Sequence, residues 1–260
     1  MYKDLLFEST DDGVGVLTIN KERSMNVLNG ETLRQLKEFV TEKLPAENLK
    51  VLVVTGAGRK AFVAGADVRQ MSQMTADDFK DYCALGRGAF DYLEQASFPV
   101  IAAINGYALG GGLEFALACD IRVASENARV GFPETKLGLF PCWGGTQRST
   151  KLIGPGKTKK LIFTGEMVTA AEALALGLVD KVVEQEELMD EVMKIARQIA
   201  RNSPLAVSYA KKAINQGSET GLSEGLAYEM ETGFQCFDSY DRVEGMSAFV
   251  EKRTAEFKGE

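Results

Sequence analysis

The chain has 260 residues, 45% hydrophobic and 26% charged, enough apolar material for a sizeable core and ordinary for a globular protein. A net charge of −7 argues against a surface built to hold nucleic acid, and no apolar run reaches the roughly 18 residues of a membrane-spanning helix. There is no histidine, which excludes Ser-His-Asp and Cys-His catalysis and histidine-held metals, so any proton transfer falls to carboxylates, Lys, Tyr, Cys or water.

The N-terminus, Met1-Tyr2-Lys3-Asp4-Leu5, has neither the apolar core of a signal peptide nor the Arg/Ser-rich pattern of a transit peptide. The expected compartment is the cytoplasm, though a processed organellar form would read the same. Val14 to Ile19 and Lys50 to Thr55 are β-branched runs that predict strands, and between them Leu33, Leu36, Val40 and Leu44 recur at helical spacing. Thr75 is the predicted cap of a helix with the apolar stripe Phe79, Cys83, Phe90 and Leu93; Pro99 then opens a strand over Val100 to Ile104.

Gly110-Gly111-Gly112 breaks that strand, a short helix follows through Ala118, and Asp120 to Ala124 returns to strand. Such switches build an α/β core. After Val182 the pattern is almost wholly helical, over Leu188 to Ile199, Pro204 to Ile214, Leu222 to Phe234 and a last helix containing Met246 and Phe249. The expected organisation is an α/β core over 1–182 carrying the site and a helical region over 183–260, with no low-complexity linker or exact repeat. Cys83, Cys119, Cys142 and Cys236 lie far apart without C-x-x-C spacing, so free thiols are expected rather than a zinc cluster or disulfide framework.

Two Gly-rich turns draw attention. Around Gly65 the run Phe62 to Asp67 is short-chained, so its backbone amides are unobstructed; around Gly111 the glycines place free N–H groups at a helix start. Amides of this kind stabilise a developing oxyanion, although turns also need glycine for steric reasons alone. Gly56-x-Gly58-x-x-Ala61 follows a predicted strand as a dinucleotide fingerprint would, but Val63, Gly65 and Asp67 interrupt the long helix that fingerprint requires. No G-K-[ST] closes either turn, which removes a Walker-type phosphate loop.

Glu114, in the first turn after the glycines, and Glu134, after Pro133, each read singly as helix-start carboxylates. Together, beside Gly or Pro turns in apolar surroundings and in a chain without His, they are the natural acid and base, because desolvation raises carboxylate pKa values.

At these residues the sequence resembles the crotonase family, and within it the enoyl-CoA hydratases. The resemblance rests on A-F-V-A-G-A-D-V (Ala61 to Val68), P-V-I-A-A-I-N-G-Y-A-L-G-G-G (Pro99 to Gly112), E-F-A-L-A-C-D-I-R-V-A-S (Glu114 to Ser125), P-E-T-K-L-G (Pro133 to Gly138) and G-G-T-Q-R (Gly144 to Arg148), in order along nearly the whole chain. It implies a spiral of β-β-α turns with a helical trimerisation region, as homotrimer or hexamer, and reversible syn addition of water to a trans-2-enoyl-CoA giving the 3-hydroxyacyl-CoA. By the same resemblance the amides of Ala66 and Gly111 form an oxyanion hole for the thioester carbonyl. Ala64, Asp67 and Val68, with the loop Arg23, Ser24, Met25 and Asn26, line the CoA path. Phe249 and Lys252 reach the adenosine end across a subunit boundary. Glu114 chiefly activates the water and Glu134 chiefly supplies the proton at C2.

No metal and no cofactor is implied, CoA being part of the substrate, and no nucleic-acid or membrane partner. Phe132, Cys142 and Trp143 stand at the acyl pocket: Phe132 replaces a frequent glutamine, Cys142 a common glycine, and Glu22 a usual proline in the earlier loop. Trp143, the single tryptophan, either plugs a channel for longer acyl chains or packs into the core. Nothing nearby in sequence would lower the pKa of Cys142, which disfavours it as a nucleophile. Crotonase folds serve several reactions. Isomerases generally need one carboxylate, so the two glutamates favour a hydratase; dehydratases of the carnitinyl-CoA type and branched-acyl hydratases of the methylglutaconyl-CoA type keep both and stay open, and the acidic balance disfavours an RNA-binding homologue.

Overall fold

Strands and helices alternate so that each pass of the chain adds one strand to a large sheet and the next, shorter strand to a small one. The structure, a computed structural model, describes residues 2–260. An antiparallel hairpin, β1 (Leu5–Ser9) and β2 (Val14–Ile19), leads to α1 (Gly30–Glu38), which a π turn over Phe39–Lys43 prolongs. Asn29 caps α1 by accepting from Thr32 N, and Leu33 and Leu36 bury its apolar face.

The first full turn is β3 (Val51–Gly56), β4 (Ala61–Val63), the short α2 (Val68–Met71) and α3 (Ala76–Gln95). The second is β5 (Val100–Ile104), β6 (Tyr107–Leu109) and α4 (Gly111–Leu117), and the third is β7 (Ile121–Ser125) and β8 (Arg129–Gly131) followed by α5 (Gly145–Ile153) and α6 (Pro155–Thr164). After β9 (Met167–Thr169), α7 (Ala170–Leu176) and β10 (Lys181–Val183), four helices complete the chain: α8 (Leu188–Ala200), α9 (Pro204–Glu219), α10 (Leu222–Phe237) and α11 (Tyr240–Glu251). The large sheet has the order β1-β2-β3-β5-β7-β10 and is parallel apart from the hairpin; the small sheet has the order β4-β6-β8-β9. This is the β-β-α spiral.

Helices cover both faces of β3 and β5, which accounts for their unbroken burial and for sequences without polar alternation. One core fills the space between the sheets, α1 and α3, with Phe90 stacked on Phe115 at 5.0 Å. Thr75 and Asp78 close the predicted cap of α3 reciprocally, as a capping box.

The second core corrects the expected boundary at residues 182 and 183, which cuts through β10. Leu188, Val192, Ala196 and Ala200, spaced at four residues along α8, lie against Val53, Ile101 and Val123 on the far face of the large sheet. Burying Leu188 and Val192 there contributes about 1.5–3 kcal/mol each, so α8 belongs to the core. The helices that stand off the sheets begin at Pro204. Across α10 and α11 a row of apolar side chains is uncovered, with Leu222, Leu226, Met230 and Phe234 at four-residue spacing and Met246, Phe249 and Val250 beyond.

The Gly56 turn leads into β4 and not into a helix, which removes the dinucleotide reading. Among the described residues no helix is long and apolar enough to cross a membrane.

Candidate active site

The spiral delivers three segments to one cavity of about 90 Å³: the end of β4, the start of α4, and the loop after β8. Ala64, Gly65 and Ala66 follow β4, and Leu28 N donates to Gly65 O at 2.9 Å while Asp67 N donates to Leu28 O at 3.1 Å. That bridge leaves the Ala66 N–H between them without an acceptor among the described residues, and the Gly111 N–H, at the first position of α4, is likewise unclaimed. Both residues line the cavity.

Two glycines are required here. Gly65 has φ +106°, and Gly110 combines φ 51° with ψ −121°, conformations that residues with a Cβ resist. At Gly110 a methyl would also sit 2.6 Å from Glu134 Oε1, so the absent side chain makes room for that carboxylate.

Glu114 projects from α4 and is almost wholly buried, at 2% exposure. Its partners are not the free amides of its own helix. Oε1 accepts from Trp143 N and Gly145 N, each at 2.7 Å, in a loop some thirty residues away, and Oε2 takes no hydrogen bond from the described residues. Two amide donors favour the carboxylate, yet burial outweighs them and pushes Glu114 up to about 7. Glu134 lies in a 3-10 turn over Pro133–Leu137, which Pro133 opens and Gly138 closes with its N–H donating back to Glu134 O and Thr135 O. Its Oε2 is buried without a partner, and burial together with the charge of Glu114 pushes it, too, up to about 7. Both carboxyls are raised by desolvation and Glu134 also by the charge of Glu114, so their protonation states belong to the pair.

A stability prediction follows for Glu114→Gln, which keeps an oxygen able to accept both amide bonds. The folded pKa of Glu114 lies above its unfolded value of about 4.5, so its contribution to stability is fully present below about pH 4.5 and is lost as pH rises through about 7. The Gln variant has no such loss. Its stability relative to the parent should rise by up to about 3 kcal/mol between pH 5 and pH 8, measured by denaturant unfolding at each pH. A pH-independent difference would show that Glu114 is not desolvated.

Cys142 lines the cavity, with Sγ donating to Phe140 O at 3.1 Å. Burial first, then the Glu114 and Glu134 charges, raise its pKa, the opposite of what an activated nucleophile needs. Trp143 also borders the cavity but is a core residue, with its ring edge-on to Tyr82 at 5.2 Å and to Phe90 at 5.8 Å. It is seated on Gly86 and Gly111, where any Cβ would strike the indole. Phe132 departs from expectation: it is fully buried beside Gly145 and does not line the cavity.

Ala64 and Val68 line the cavity, whereas the Asp67 carboxylate is turned back to cap α2 by accepting from Gln70 N. Arg23 and Ser24 are exposed and line a separate shallow groove with Lys3 and Lys21. Met25 and Asn26 both hold positive φ, 53° and 58°, conformations that cost of order 1–3 kcal/mol each without glycine. The contacts that hold them there tie this loop to β4: Met25 O accepts from Ala64 N at 3.0 Å, and Asn26 Nδ2 donates to Ala61 O at 2.8 Å. Phe249 and Lys252 do not reach the cavity of their own chain; Phe249 is 85% exposed and Lys252 ends α11 with φ 56°.

Sequence reading missed the cavity wall supplied by α3 and its approach, chiefly Met71, Phe79, Tyr82 and Cys83. Phe79 and Cys83 were visible as a stripe, but a stripe does not say whether it faces core or cavity. It also missed the amides of Trp143 and Gly145, which no side-chain pattern reports.

The family profile described as enoyl-CoA hydratase/isomerase matches residues 9–260. A crotonyl-CoA hydratase of Syntrophomonas wolfei is 43% identical over 256 residues, 98% of each chain. A short-chain-enoyl-CoA hydratase of Clostridium acetobutylicum is 46% identical over 243 residues, 94% of this chain and 93% of that one. Among solved structures, an enoyl-CoA hydratase from Bacillus anthracis superposes with a TM-score of 0.96 at 41% identity, covering 99% of this chain and 100% of that one.

Proposed function

The chain belongs to the enoyl-CoA hydratase/isomerase family, and from that premise we propose that it is an enoyl-CoA hydratase acting on short 2-enoyl thioesters. The observation that carries the proposal is the meeting of two desolvated carboxyls and two unclaimed amides around one small cavity. The thioester oxygen accepts from the N–H groups of Ala66 and Gly111. Water held between the glutamates adds its oxygen to C3 while Glu114 takes its proton, and Glu134 delivers a proton to C2. The electron pair of the double bond passes through a thioester enolate, whose oxygen carries the developing charge; amides already aimed at it need no reorganisation. Two carboxyls near neutrality suit acid and base work in either direction, and an isomerase would have use for only one.

Short substrates are favoured because the cavity measures only about 90 Å³ and has Tyr82, Cys83 and the packed Trp143 in its wall. The relatives named for crotonyl and short-chain substrates agree with this. Enoyl-CoA substrates of C4 and C10 assayed side by side should give a kcat/KM higher for C4 by at least about tenfold, as each unaccommodated methylene forfeits about 1 kcal/mol or more. Equal efficiency would reject the short-chain assignment.

The steps proposed call for no metal and for no cofactor beyond the CoA that the substrate carries. The chains assemble as a trimer or hexamer through the helical C-terminal region, supported by the uncovered apolar row on α10 and α11, with Phe249 and Lys252 of one chain serving the CoA of a neighbour. Deleting Glu244 to Phe257 should then give smaller species in sedimentation together with a raised KM. A truncated chain that stayed oligomeric with normal KM would refute this.

A further inference from the structure

Arg148, the last residue of G-G-T-Q-R, takes no part in the chemistry above and does not line the acyl cavity. It is nonetheless an arginine with only 11% of its side chain exposed, on the first turn of α5, and every contact it makes has a direction. Nη2 donates to Asp91 Oδ1 and to Glu94 Oε2, each at 2.7 Å, and Nε donates to Glu94 Oε1 at 3.2 Å; both acids lie on one face of α3. The remaining nitrogen, Nη1, donates to Trp143 O at 2.9 Å. The guanidinium lies so close beneath the next peptide that a Cβ at Gly144, where φ is +111°, would collide with Nη1.

On its other side this same short segment presents the Trp143 and Gly145 N–H groups to Glu114 Oε1. A continuous path therefore runs from α3 through Arg148, the Trp143 carbonyl and the two flanking amides to the Glu114 carboxylate. A planar fork with donors in fixed directions suits such a path, since two carboxylates hold it rigidly while a third edge holds the peptide. Without the guanidinium, Asp91 and Glu94 lose their shared partner and the Trp143 carbonyl its donor. The Gly144 carbonyl keeps its bonds from Gln147 N and Arg148 N, and the indole its packing, but the Trp143-Gly144 peptide between the two amides that hold Glu114 loses its only side-chain donor.

We infer that Arg148 is a positioning residue for hydration: anchored by Asp91 and Glu94, it fixes the Trp143-Gly144-Gly145 segment so that two amides hold Glu114 facing the reacting water. This rests on Glu114 being the group that activates water. It also gives the basic end of that motif a role that neither substrate contact nor core packing supplies.

A double-mutant cycle tests it in the full-length protein, with kcat, KM and Tm measured for Arg148→Met and Arg148→Lys, each alone and combined with Glu114→Gln. Misplacement of a catalytic group by about 1 Å costs on the order of a hundredfold. Arg148→Met alone should accordingly lower kcat by about tenfold to a hundredfold with little change in KM, and Arg148→Lys, which keeps the charge and fewer directed donors, should lose less. In the Glu114→Gln background the same substitutions should lower kcat by less than about threefold, because residues acting as a unit are not additive. Equal losses in both backgrounds, tracking a fall in Tm, would make Arg148 a structural support only and overturn the inference. Should the Met variant fail to fold, the Lys cycle is read by the same criterion. If Glu114→Gln by itself left kcat unchanged, the failure would lie in the role given to Glu114 and not in the path that holds it.

Discussion

Glu114→Gln and Glu134→Gln are each expected to lower kcat for crotonyl-CoA hydration by at least about a hundredfold while leaving the fold intact, the loss typical of removing a positioned acid or base. The two substitutions are nearly isosteric, and each removes an expensive buried charge, so neither should unfold the chain. In Glu114→Gln the amide oxygen still accepts from Trp143 and Gly145, but it no longer takes a proton from water. In Glu134→Gln the side chain no longer delivers one to C2. KM should change little, because on the proposed reading the thioester is held elsewhere, by the amides of Ala66 and Gly111 and along the CoA path. The double variant should be scarcely worse than the poorer single one, since the pair works on one water. Circular dichroism and Tm checked beside the rates separate lost chemistry from lost structure. A single variant with near-normal turnover would remove that glutamate from the mechanism.

Much of this site was legible in the sequence because its signals are short-range. The absence of histidine left carboxylates as the natural acid and base, and the Gly and Pro turns beside Glu114 and Glu134 marked where apolar surroundings would raise them. Thr75 as a cap and the buried runs of β2, β3 and β5 were readable from local chemistry. The small sheet was not, since β4, β6, β8 and β9 have three residues each, too few for an alternation of period two to show. Without that sheet, Gly110-Gly111-Gly112 looked like the end of β5, although a second strand, β6, intervenes. The helices after Val182 were equally visible, but burial against a sheet and exposure to solvent give similar stripes, so α8 was grouped with the helices that follow it. Side chains in a loop reveal little about which way they turn, and Phe132 went to the core for that reason. The hold of Trp143 and Gly145 on Glu114 is made by backbone, and no residue type announces it.

Gly110→Ala should be comparably damaging by a different route. At φ 51° and ψ −121° the backbone excludes a Cβ, and the added methyl would lie 2.6 Å from Glu134 Oε1. Relief requires the peptide entering α4 to rotate, which turns the Gly111 N–H, or the Glu134 carboxylate to withdraw. On the roles proposed above, either movement degrades stabilisation of the enolate or delivery of the proton at C2. Loss of one oxyanion donor alone costs about 10²–10³-fold in kcat, and strain of about 1–3 kcal/mol should appear as a lower Tm. The comparison that isolates the effect is Gly156→Ala, on the first turn of α6, where an added Cβ meets nothing within 4 Å. If Gly110→Ala lost stability yet kept kcat within about threefold of the parent, neither the Gly111 amide nor the seat of Glu134 would matter to turnover.

The most direct test of the whole account is hydration of crotonyl-CoA by the purified protein in heavy-oxygen water containing a chelator and no nicotinamide. The account predicts loss of the enoyl-thioester absorbance and a 3-hydroxybutyryl-CoA product carrying the heavy oxygen at C3. Unchanged absorbance, a product with the double bond merely shifted and no label, or turnover that requires an added metal would contradict it.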